Sequence, residues 1–167
     1  GLCVWDATVH MKDQVTVSRC KAESGGGVTA RHFTKVVLKG RATISQCQAQ
    51  YSGGGMQFSD SSLVLQDQAT ISHCQAQMNG GGLSISYSGS LVLQDQATIT
   101  QCEASRTGGG IESFYLSSLH FRDDAAVTGC RSKHFAGGIF ASLSPHGTMR
   151  FEGSAAVLNC TAKHYGG

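Results

Sequence analysis

The chain has 167 residues, 40% apolar and 14% charged, with 22 Gly, a single Pro and a formal net charge of +2. That balance suits neither a charged disordered segment nor a helix-rich protein. No Lys/Arg cluster supplies the footprint of a nucleic-acid binder and no apolar run is long enough to span a bilayer, so neither nucleic acid nor direct membrane insertion is expected.

Six cysteines, Cys20, Cys47, Cys74, Cys102, Cys130 and Cys160, are separated, by subtraction, by 27, 27, 28, 28 and 30 residues. A fixed period in this range marks a solenoid. The period divides one domain, 1–167, into a partial coil 1–24 and coils 25–52, 53–79, 80–107, 108–135 and 136–165. Both chain ends fall inside repeats, so the chain is expected to be a fragment of a longer repeat protein.

In coil 1–24 the pairs Leu2/Val4, Val9/Met11 and Val15/Val17 alternate with other residues, the period-2 signature of three short half-buried strands. Coil 25–52 opens on Gly25-Gly26-Gly27 and continues with Val28/Ala30, Val36/Leu38 and Ala42/Ile44. Coil 53–79 has Met56/Phe58, Leu63/Leu65 and Ala69/Ile71. Coil 80–107 has Leu83/Ile85, Leu91/Leu93 and Ala97/Ile99, and the two coils share the run LVLQDQATI. Coil 108–135 has Ile111/Ser113, Leu119/Phe121 and Ala125/Val127. Coil 136–165, with Ala136 at the first Gly place, has Ile139/Ala141, Met149/Phe151 and Ala155/Val157. Stacking coils at about 4.8 Å would pair each strand with its counterparts and close one core. The expected fold is an all-β, single-stranded parallel β-helix. A leucine-rich repeat is the rival, since Ala69, Ile71, Cys74 and Ala76 echo its core, but no stretch of the unit reads as a helix.

Several columns are candidates for function. The middle glycines Gly26, Gly54, Gly81, Gly109 and Gly137 sit at a corner that calls for positive φ or close backbone approach. The cysteine column has no C-x-x-C spacing and no partnered His pair, so no metal is expected; inward, inert thiols and neighbour-to-neighbour disulfides are the two readings. Cys3 stands outside the column, on an outward position. Thr16, Thr43, Thr70, Thr98 and Thr100, with Ser18, Ser45 and Ser72, line the outward third strand, where a flat hydroxyl array would suit ice and where such residues are also simply favoured. Asp13, Asp67, Asp95 and Asp123 occupy one turn, with Gly40 and Gly153 at equivalent places. Stacked carboxylates could hold Ca²⁺ or begin a lyase site, while the glycines argue for turn chemistry. Variable lengths between the first and second strands, at 59–62, 87–90, 114–118 and 142–148, mark the loop face. There Phe114, Tyr115, Pro145 and His146 form a possible binding loop, and Tyr87 is a further exposed aromatic. The seven histidines fall mostly on different columns.

Written as a pattern, each repeat is I-[ST]-x-C-x-A followed by G-G-G-[LIMV], as at Ile71, Cys74, Ala76 and Gly80-Gly81-Gly82-Leu83. This resembles the polymorphic outer membrane protein repeats of chlamydial surface autotransporters, with a Cys-bearing variant of the repeat similar to that in some protist proteins. The tetrad has Gly27, Gly55, Gly82 and Gly110 where that family has Ala, and Cys where its other tetrad has Asn. The resemblance implies a right-handed β-helix with non-catalytic, adhesive or structural work at the cell surface or outside the cell. The expected partner is a protein or a glycan, with no cofactor. A scaffold subunit of a larger assembly, an ice-binding protein and a polysaccharide-active enzyme are the alternatives.

Overall fold

The computed structural model covers residues 1–167, and the side chains of Leu116 and Ser117 lie outside the described residues. Every strand pairs in parallel with its counterpart one coil away. Val28, Met56, Leu83, Ile111 and Ile139 are successive partners in the first-strand column. Thr16, Thr43, Thr70, Thr98 and Ala126 are successive partners in the third. Among the described residues there is no helix, so nothing remains of the leucine-rich reading.

Each of the first four coils carries four strands rather than three, and in the last two coils the first and second strands run together into one. The fourth is only two residues long: Lys21–Ala22, Gln48–Ala49, Gln75–Ala76, Glu103–Ala104, Arg131–Ser132 and Thr161–Ala162. These stack into a six-stranded sheet of their own, beside the six-stranded sheet of third strands and a ten-stranded sheet joining first and second strands. Alternation continues past the cysteine, because Cys and the small residue two places on both face inward and the residue between faces out.

A second correction concerns the loop face. The segments 114–118 and 142–148, read as loops, belong to two long strands, Ile111–Phe121 and Ile139–Phe151, that pair with each other with a register shift. Pairing Phe114 with Ser142 and Ser118 with Thr148 engages backbone groups that a loop would leave to water. Pro145 is tolerated because Ile139–Phe151 is the outer strand of its sheet.

The core is a stack of like residues: Leu38, Leu65, Leu93 and Phe121 in one column and Ile44, Ile71, Ile99 and Val127 in another are buried. Each such side chain contributes about 1.5–3 kcal/mol relative to exposure. Ser113 interrupts its column as a fully buried residue whose hydroxyl has no partner. The two coils with a neighbour on one side only are less covered, leaving Leu2 38% and Phe151 44% exposed.

Candidate binding surfaces

The glycine corner separates into three requirements. The first Gly of each triplet is left-handed, as at Gly80 with φ 59°, and Ala136 adopts φ 52° at the same place. The middle glycines have no such φ. A Cβ on Gly81 would press on the carbonyl oxygens of Glu103 and Gly109, so close approach is the reason there. At the third place a Cβ on Gly82 would lie 2.8 Å from Ile99 Cγ2 and 3.3 Å from Cys102 Sγ.

All seven cysteines are free thiols. Cys47, Cys74, Cys102 and Cys130 are buried, Cys20 and Cys160 half-buried, and Cys3 exposed. Each column thiol lies 3.2–3.4 Å from the carbonyl two residues earlier. From Cys47 onward, each also lies 3.7–3.9 Å from a third-strand carbonyl of the preceding coil. Burial pushes the Cys102 thiol well above the ordinary range. Among the described residues no three His, Cys, Asp or Glu groups converge to hold a metal ion.

The acidic corner is built from backbone as much as from side chains. Asp13, Asp67, Asp95 and Asp123 have φ of 57–61°, and Gly40 and Gly153 at the equivalent places have 70° and 68°. Asp and Gly are suited to this region. The carboxylates of Asp67, Asp95 and Asp123 then reach one coil back. The N–H groups of Gly40, Asp67 and Asp95 donate to Oδ2 of Asp67, Asp95 and Asp123 at 2.9, 2.9 and 3.2 Å. That donation, from Asp67 N–H, is the main reason the Asp95 pKa is lowered. These oxygens are thus engaged by amides, which favours the turn role over a cation site.

On the third-strand face Thr16, Thr43, Thr70, Thr98 and Thr100 do fall in rank, half-buried or exposed. The hydroxyls of Thr16, Thr43 and Thr70 donate to the carbonyls of Gln14, Arg41 and Gln68, within their own turns. Ala126 and Ala156 replace Thr in the next two coils, and Leu158 is exposed there.

The fourth-strand sheet carries a surface the sequence reading missed. A trough of about 450 Å³ runs across it, floored by Ala22, Ala49 and Ala76 and walled by Gln48, Gln50, Gln75 and Gln77, with Lys21 and Glu103 at either side of the glutamines. Lys133 joins it to a second hollow of about 490 Å³ bearing Arg131, His134 and Lys163. Elsewhere Gln46 pairs with Arg19, Gln68 with Arg41 and Gln96, and Gln94 with Arg122, while Gln57 Oε1 is buried without a partner. The four trough glutamines have no side-chain partner among the described residues. Nor do Arg131, Lys133 and Lys163, since the one ion pair among those residues is His120 with Glu152, at 3.0 Å. The signal was present in the sequence as the residue between each Cys and its small follower.

At the loop corner the residues are Asp6, His32, Asp60, Tyr87 and Tyr115, all with φ of 49–63°, and Phe33 joins them at 52°. Phe33 is 87% exposed, Tyr87 59% and Tyr115 54%. Phe114 packs edge-to-face on Tyr115 at 4.6 Å, and Trp5 on His32 at 5.7 Å. Pro145 and His146 are exposed on the neighbouring long strand. Glu112, also missed, is buried on an outward position, accepts from Ser84 Oγ at 2.8 Å, and has its pKa raised by burial.

Residues 6–166 match a family described as right handed beta helix region. No curated protein and no solved structure matched the chain.

Proposed function

Because the chain belongs to the right-handed β-helix family, a broad one holding enzymes and non-enzymes alike, we propose that it is a non-catalytic, extracellular structural rod that binds an acidic glycan along the fourth-strand trough. The carrying observation is the trough itself: four glutamine amides without protein partners lead past a single carboxylate, Glu103, into Arg131, Lys133 and Lys163, which form no ion pair among the described residues and outnumber it. The free amides stand in pairs on two successive coils, about 4.8 Å apart, and offer both donors and acceptors to the hydroxyls of an extended polymer. The cationic end favours carboxylate or sulfate groups and makes binding sensitive to salt. The rigidity of a stacked solenoid keeps the trough straight without ordering cost at binding.

The test is surface plasmon resonance over immobilised polyuronate and sulfated glycan, in low and physiological salt. Binding that weakens with salt, and by about tenfold or more on replacing Arg131, Lys133 and Lys163 together by Ala, supports the reading. Absence of binding at low salt, or binding indifferent to that change and to Gln75→Ala, refutes it.

A further inference from the structure

The loop corner poses a physical problem that folding alone does not solve. Its turn forces a left-handed residue in coil after coil, a demand Asp6 and Asp60 meet cheaply. Tyr87 and Tyr115 meet the same demand with bulky side chains, for which this region is costly. Burial does not offset that cost, because both rings are more than half exposed, and Phe33, also left-handed, is almost wholly so. Backbone strain that buries nothing points to a use for the exposed group.

A cleft of about 210 Å³ opens at this corner, lined by Phe33, Asp60, Ser62, Ser88 and Ser90; Tyr87 is the residue before Ser88 and does not itself line it. Phe33 is on coil 25–52 and Tyr87 on coil 80–107, so the rings stand two coils apart, about 10 Å along the axis, with Asp60 on the coil between. Asp60 Oδ2 accepts from Ser59 Oγ at 3.2 Å, and its other oxygen has no partner among the described residues. A protein hot spot would put apolar surface between the rings; here the space is hydroxyl and carboxylate. Asp6 and Asp60 are matched by Arg31 and Lys35, so the corner has no net charge to select an ion.

We propose that this corner is a second, separate binding site, for a neutral oligosaccharide: Phe33 and Tyr87 stack on the C–H faces of sugar rings, and Asp60 accepts hydrogen bonds from the hydroxyls of the unit between them. Apolar faces alternating with hydroxyl edges match this order of ring, carboxylate and ring. Tyr115, one coil beyond Tyr87, extends the site along the axis.

Calorimetric titration with neutral hexasaccharides of β-1,4-glucose, β-1,3-glucose, α-1,4-glucose, β-1,4-mannose and β-1,4-N-acetylglucosamine provides the test, with each variant's melting temperature measured in parallel. At least one hexasaccharide binds, and Phe33→Ala weakens it by about tenfold. Tyr87→Asn weakens it similarly and at the same time raises the melting temperature, because Asn is at ease in the left-handed region. A ring retained for stability would give the opposite sign. The triple Arg131, Lys133 and Lys163 replacement leaves this binding unchanged, which separates it from the trough. The proposal is overturned if none of the five binds at millimolar concentration, if Tyr87→Asn lowers the melting temperature or spares affinity, or if the triple replacement removes the binding.

Discussion

Gly82→Ala adds a single methyl group and takes away backbone freedom, which on those grounds alone would stabilise, and the packing around Gly82 gives the opposite sign. The added Cβ would sit 2.7 Å from Gly110 O, 2.8 Å from Ile99 Cγ2 and 3.3 Å from Cys102 Sγ. Gly110 O cannot retreat freely, because it accepts from Gly82 N–H at 3.0 Å and Leu83 N–H at 2.9 Å, bonds that hold two coils together. Overpacking of this kind costs about 1–3 kcal/mol. Reduced freedom of the unfolded chain returns about 0.4–1 kcal/mol. The expected net loss is about 1–2 kcal/mol, or a fall of about 2–8 °C in melting temperature for a chain of this size. Urea melts followed by circular dichroism, compared at equal slope, read it directly. Combining Gly82→Ala with Cys102→Ala removes Sγ from the contact, so the double variant loses less than the sum of the singles. A Gly82→Ala protein as stable as the parent, or more so, would falsify the account of why this place is glycine.

Asp95→Asn tests the acidic corner through pH. The folded-state pKa of Asp95 is lowered, so its stabilising effect is complete above the unfolded value of about 3.9 and disappears as pH falls through the folded value. The stability gap between parent and variant is therefore present at pH 7 and closes in acid; a gap that widens in acid contradicts the amide-capping role. For the thiols, maleimide labels Cys3 in the native state within minutes, whereas Cys47, Cys74, Cys102 and Cys130 react only after denaturant is added, as mass spectrometry of peptides would show. On the third-strand face, nanolitre osmometry is expected to find no thermal hysteresis, since three of the threonine hydroxyls already donate to their own turns. Measurable hysteresis lost on Thr70→Ala would reverse that.

Periodicity made the stacking readable, because a column such as Leu38, Leu65, Leu93 and Phe121 repeats one inward requirement at a fixed spacing. The fourth strand escaped because two residues, as at Gln75–Ala76, are too short to display alternation on their own. Its face, and so the trough, went with it. Residues 114–118 and 142–148 look like loops because the spacing between first and second strands varies there, yet two such segments side by side satisfy each other as strands. The left-handed tyrosines were invisible for a different reason: φ at Tyr87 is set by the turn that neighbouring coils impose, and Tyr itself carries no mark of it. The Asp column was legible as turn chemistry through Gly40 and Gly153, although the reach of the Asp67, Asp95 and Asp123 carboxylates into the coil before was not.

That backward reach gives the solenoid a direction in time. Asp95 belongs to the later coil and the amide it satisfies, on Asp67, to the earlier one; the cysteine thiols lean the same way, Cys102 toward Ile71. Each turn of the spiral is thus finished by its successor. A ribosome releasing these turns in order leaves the newest one frayed until the next emerges, so maturation trails synthesis by one coil. Purified fragments ending after residue 79 and after residue 107 make the lag visible: protease should cut within 53–79 in the first and spare it in the second.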